Sequence, residues 1–244
     1  MSWQPYTLFF RQTFENGYRY LDRCGEFIQA AVSDFGFLVS EVKPTGARLA
    51  IPEDGIKASV DANSLEVRQE APISDPHRFL ELSITFADLA EKMFGPLMLS
   101  ENLFQSSWYL ERTDPEHALK STIALPVDPK NEYGDAFGMI PEQKHFDTTF
   151  RSGSRLLQIQ IQPVTFDSVT IQRKNPAINS NSSAKNRARR LTMQAERIPK
   201  FPAYCVMLEA TVAEEEPPGL TALEDQFEML VSKTEIAKKL FSPK

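Results

Sequence analysis

The chain has 244 residues, 41% hydrophobic and 25% charged, which excludes an intrinsically disordered protein and suffices for one large domain or two modest ones. No run approaches the roughly 20 apolar residues of a membrane helix, and the N-terminal MSWQPYTLFFRQTF has neither the basic start nor the apolar stretch of a signal peptide. The net charge of −6 hides an asymmetry. Residues 173–200 hold eight cations against Glu196 alone, whereas residues 209–228 hold seven acids and no cation. A global basic footprint of nucleic-acid binding is therefore excluded, and a local one is present.

In chain order, Pro5–Phe14 is aromatic-rich and partly alternating and reads as a strand. Asn16 offers a helix N-cap, and Leu21, Cys24, Phe27, Ile28, Ala31, Val32 and Phe35 follow at helical spacing until Gly36 closes the helix. One apolar stripe and one polar face predict a helix lying on a sheet, with Phe27, Ile28, Val32 and Phe35 buried. Short strands FLVSEV, ARLAI, IKASV and SLEVRQE come next, punctuated by PTG, PEDG and DAN. In RFLELSITF, Leu80, Leu82, Ile84 and Phe86 alternate with Glu81, Ser83 and Thr85, which predicts another strand. A short helix is then expected from Thr85, with Asp88 completing a capping box and Leu89, Ala90 and Met93 buried before Gly95. Leu103–Arg112 reads as extended.

Ala118–Leu125 reads as one more strand, and Val127–Gln143 lacks periodicity and carries two prolines and two glycines. HFDTTFR, SRLLQIQIQ, VTFDSVTIQR, RARRLTMQAER and AYCVMLEATV are strand-like, and Leu157, Ile159 and Ile161 against Gln158, Gln160 and Gln162 imply one dry face and one face of amides. Thr221 and Glu224 cap a closing helix with a stripe of Leu223, Phe227, Leu230, Val231, Thr234, Ala237 and Phe241. The expectation is an α+β protein with antiparallel sheets and helices on one face. Its first half, 1–126, reads as an elaborated ferredoxin-like βαββαβ domain; 127–143 reads as a linker and 144–244 as a strand-rich domain closed by a helix.

This element order and length, with DPHRFLELSITFADLAEKMFG in the middle and LEDQFEMLVSKTEIAKKLF at the close, resembles a sporadically distributed bacterial family of roughly 250-residue proteins of unknown function. The resemblance implies an intracellular bacterial protein and carries over no activity.

The ten glycines form no G-x-G-x-x-G, P-loop or G-x-S-x-G, which disfavours dinucleotide oxidoreductases, P-loop NTPases and ordinary α/β-hydrolases together. His77, His117 and His145 stand far apart, with no Cys-x-x-Cys or His-x-x-x-His, so neither a metal nor a cofactor is expected. His145 and Asp147 are the catalytic-looking pair, because i and i+2 share a face on a strand and the carboxylate could orient the imidazole. The plainer interpretation is a polar strand surface. Cys24 and Cys205 lie far apart, read as core hydrophobes rather than a disulfide, and fit a reducing cytoplasm. His77 reads as part of a turn before a strand. Glu214, Glu215 and Glu216 precede two prolines and read as a solvated linker.

The basic segment QRKNPAINSNSSAKNRARR stands above background. Arg173, Lys174, Lys185, Arg187, Arg189 and Arg190 could neutralise phosphates, although the aromatics of a single-strand platform are missing. The plainer interpretation is a surface loop whose charge balances the acidic 209–228 stretch. Sequence thus leads to a cytoplasmic, non-enzymatic binding or scaffold protein with a protein partner and no membrane association. The alternatives are a nucleic-acid module, RNA included among its ligands, using the 173–200 loop, and a metal-independent hydrolase or nuclease using His145 and Asp147.

Overall fold

The fold comes from a computed structural model, which describes residues 2–15, 19–70, 73, 75–113, 118, 146–165, 202, 204–215, 217, 219 and 222–241. These residues form nine strands and three α-helices, so the chain is α+β. The elements are β1 (Gln4–Phe14), α1 (Tyr20–Phe35), β2 (Leu38–Lys43), β3 (Gly46–Ile51), β4 (Ile56–Asp61), β5 (Ser64–Glu70), α2 (Pro76–Phe94), β6 (Leu99–Arg112), β7 (Phe146–Ser152), β8 (Arg155–Thr165), β9 (Tyr204–Glu215) and α3 (Ala222–Leu240). All nine strands join in one sheet in the order β2-β3-β4-β5-β1-β6-β9-β8-β7, and every neighbouring pair is antiparallel.

Turn chemistry sets the first half. Gly36 takes φ 74° and donates its N–H to the Ala31 carbonyl, ending α1 as the sequence predicts. Gly55 takes φ 65° after the 3₁₀ turn Pro52–Asp54, and a Cβ there would come within 3.0 Å of the Glu70 carbonyl oxygen. The side chain of Asp61 accepts from the backbone N–H groups of Asn63 and Ser64, which closes the β4–β5 hairpin.

The strand order is palindromic in plan. Divided after α2, the chain gives two halves whose first strands, β1 and β6, pair at the centre, with Phe10 opposite Phe104 and their rings stacked at 4.7 Å. Outside β1 lies β5, which leads into the 19-residue α2; outside β6 lies β9, which leads into the 19-residue α3. From there each half steps outward antiparallel to its edge. The strands on either side of residues 127–143, the expected linker, belong to the same sheet, and those residues themselves lie outside the described ones.

The three helices share one face of the sheet. Phe27 of α1 packs between Phe86 and Phe94 of α2, at 5.1 and 5.2 Å between ring centroids. Phe79 of α2 meets Phe227 of α3 at 6.1 Å, and Phe104 of β6 closes that triangle from the sheet. All these rings are buried, and aromatic pairs of this kind add about 0.5–1.5 kcal/mol beyond area burial. Polar groups also enter the helix-side core. Gln226 donates from Nε2 to the carbonyls of Asn102 and Val212 at 3.0 and 3.1 Å, and Gln12 donates to Oδ1 of Asn102 at 3.1 Å. Such bonds tie the start of α3 to one register of β6 and β9.

Four expectations are corrected. RFLELSITF is helix, because α2 runs unbroken over Pro76–Phe94. Its buried residues Phe79, Leu82, Phe86, Leu89 and Ala90 keep helical spacing, Pro76 sits in the first turn, and the side chain of Asp75 caps it by accepting from the His77 N–H. His77 therefore opens a helix rather than preceding a strand. Val32, expected in the core, is 40% exposed, because α1 buries mainly Tyr20, Phe27 and Ala31. Glu214 and Glu215 belong to β9: Glu214 is buried and paired with Arg155 at 3.2 Å, and Glu215 takes both terminal nitrogens of Arg151. Ala118, where the sequence predicts a strand to Leu125, is helical and buried, and the rest of that strand, with Asn16, Thr221 and Glu216, lies outside the described residues.

Candidate functional site: the helix-free face of the sheet

Alternation sends every second strand residue away from the helices. On β1 the helix side holds Leu8, Phe10, Gln12 and Phe14, and the opposite side holds Thr7, Phe9, Arg11 and Thr13. Register carries that face across the sheet: Phe9 lies opposite Arg68 of β5 and Gln105 of β6, Gln105 opposite Thr211 of β9, and Ser107 opposite Glu209. Gln160 of β8 follows beside Glu209, and Asp147 of β7 beside Gln160.

The middle of this face is concave. A cavity of about 370 Å³ runs over five adjacent strands, lined by Thr7, Phe9, Arg68, Gln105, Ser107, Gln162, Val164, Met207 and Glu209, with Tyr6 at its border. Thr7, Ser107 and Met207 are buried in its floor. The hydroxyl of Ser107 donates to Oε1 of Glu209 at 3.3 Å, and the Arg68 guanidinium stands 3.8 Å from the Glu70 carboxylate. The cleft thus sets a guanidinium and a carboxylate on opposite walls, amides and hydroxyls between them, and apolar surface from Phe9, Val164 and Met207. That composition suits recognition of a polar ligand through many moderate hydrogen bonds.

Acid prevails on this face. Arg11 is held by Glu101 at 2.9 Å, Lys57 by Glu70 at 2.7 Å and Arg151 by Glu215 at 3.0 Å, while Asp61, Glu66, Glu209 and Asp147 add negative charge. The Arg151 hydrogen bond holds the Glu215 carboxyl below the usual value and raises the guanidinium of Arg151 in turn.

Of the residues that sequence singles out, Asp147 is exposed on β7 and accepts from the Nε2 atoms of Gln158 and Gln160, each at 2.9 Å. Its expected partner His145 lies outside the described residues, as do Arg173, Lys174, Lys185, Arg187, Arg189 and Arg190. Cys205 is fully buried and burial pushes its thiol up to about 12, which suits a core hydrophobe rather than a nucleophile. Cys24 is only half-buried. Among the described residues no group of three or more His, Cys, Asp or Glu side chains could hold a metal ion, and no helix is long and apolar enough to cross a membrane.

The sequence does not show the cleft because its residues come from strands as far apart as those of Thr7 and Glu209. Only the amide alternation of β8 pointed to this face. No protein-family model matches the chain, and no curated protein matches it.

Proposed function

We propose that the chain is a cytoplasmic, non-enzymatic binding protein that takes a protein partner on the helix-free face of its sheet. The carrying observation is that all three described helices share one face while, among the described residues, the other face carries the cleft between Arg68 and Glu209. Among the described residues no helix covers this part-apolar, polar-rimmed cleft, which suits it to recognition. The excess of carboxylates favours a partner segment with basic or amide-rich chemistry and disfavours phosphates.

The cleft charges supply the test. Material retained by the purified chain from its source extract is lost with Glu209→Lys and with Arg68→Glu, and kept with Lys92→Glu on the outer side of α2. Equal retention by all three variants would contradict the proposal.

The nucleic-acid alternative rests on the basic 173–200 segment and on treating residues 1–126 as an elaborated ferredoxin-like unit. In support of that treatment, β1 lies between β5 and β6, and helices follow β1 and β5. The meander of four strands after α1 is two strands longer than that unit has. RNA retention that falls steeply with salt and is lost with Lys185→Ala, Arg187→Ala and Arg189→Ala together would favour it. A hydrolase using His145 and Asp147 would instead show turnover abolished by His145→Ala.

A further inference from the structure

On the helix side, the two halves differ beside their matched helices. In the first half α1 lies against α2 and reaches the edge strand β2. In the second half the described residues leave a groove of about 420 Å³ between α3 and the edge hairpin β7–β8. Its floor is Leu157 and Ile159 of β8 with Phe150 of β7, and its wall is Met229, Ile236 and Leu240 of α3. Phe150, Ile236 and Leu240 are 51%, 47% and 65% exposed, and Ile236 and Leu240 stand one turn apart on one stripe of the helix. This stripe is separate from the one that α3 buries on the sheet, Leu223, Phe227, Leu230, Thr234 and Ala237.

The charges at the groove are unequal. Arg155 is taken by Glu214 of β9, and Arg151, at the sheet edge, is drawn toward the other face by Glu215. Lys233 also lines the groove, on the Ile236 stripe, and has no ion-pair partner among the described residues. One uncompensated cation over an apolar trough asks for an apolar surface that carries a carboxylate.

We infer that this groove binds an acidic amphipathic α-helix of a partner protein, laid beside α3 as α1 is laid beside α2. The plan of the first half shows which kind of element fills this position. α1 itself is a helix with an apolar stripe that inserts Phe27 between two rings of its neighbour, and it carries Asp22, Glu26 and Asp34 against Arg23. The incoming helix would place apolar residues at i, i+3/i+4 and i+7 over Phe150 and between Ile236 and Leu240, with Asp or Glu over Lys233. This inference extends the protein-partner proposal, but the groove lies on the opposite side of the sheet from the cleft, so the two fail separately.

The probe is a displayed library of helical peptides selected on the full chain, followed by titration of one enriched peptide. The expected binders are amphipathic and acidic. Ile236→Asp, at an exposed position that leaves the melting temperature unchanged, weakens binding about tenfold or more. Lys233→Glu weakens it about fivefold and is compensated by an acid-to-lysine change in the peptide. Glu209→Lys leaves this binding unchanged, whatever it does to partner retention on the other face. Four results would overturn the inference: no enriched helical peptide, or binders indifferent to Ile236→Asp; a dimer of the chain alone that Ile236→Asp dissolves; saturable laurate binding that helical peptides fail to displace; or a photo-crosslinker at Phe150 reacting with residues 114–145 of its own chain.

Discussion

In the first half of the molecule α1 and α2 lie side by side over the sheet, and Phe27 locks them together; in the second half α3 stands beside an open trough. The two halves share a plan, with a central strand, a neighbour that leads into a 19-residue helix, and a meander to the edge. They differ in what fills the place beside that helix. The same kind of apolar flank serves as core where a neighbour covers it and as candidate interface where no described residue does, so burial, not residue type, separates stability from recognition.

The largest effect should come from the locked side. Phe27→Ala, at a fully buried ring between two others, costs about 3–5 kcal/mol in denaturant unfolding. Ile236→Ala, on the matching flank of α3, changes stability by about 0.5 kcal/mol or less. Similar costs at the two sites would erase the comparison. Next comes the polar tie between the centre and the second half. Gln226→Ala removes two hydrogen bonds to strand carbonyls and opens a small void, costing about 2 kcal/mol by the same measurement.

The thiols sharpen the contrast without changing stability. A thiol reagent at neutral pH labels Cys24 on α1 in the native protein and reaches Cys205 on β9 only after unfolding, since burial alone pushes that thiol up to about 12. Equal native labelling would place β9 nearer solvent than described. The smallest effect concerns Arg151 and Glu215 at the rim. Because the folded carboxyl is held below its usual value, this pair stabilises the native state above the ordinary carboxylate range and ceases to do so as pH falls through the lowered value. Glu215→Gln should flatten that small acid-side slope, and salt should shrink it further, because both groups are exposed.

Much of the fold was legible in the sequence, for identifiable reasons. Strands β2 to β5 were separable because PTG, PEDG and DAN punctuate clean alternation, and the closing helix because its stripe runs for five turns. The α2 region deceived because its apolar positions satisfy period two and period 3.6 at once over Leu80–Phe86. The capping pair Asp75-Pro76, just upstream, was the deciding signal. The cleft was not legible. Alternation tells which residues of one strand share a face, but only the pairing of β1 with β5 and β6, and of β9 with β6 and β8, brings Arg68, Gln105, Glu209 and Gln162 together.

Site-specific photo-crosslinking tests the proposed use of the helix-free face most directly. With the crosslinking side chain in place of Gln105 at the centre of the cleft, irradiation in source extract should give one dominant protein adduct, lost on adding Glu209→Lys, while the same group in place of Lys92 on α2 should give none. Adducts from position 92 and none from position 105 would contradict it.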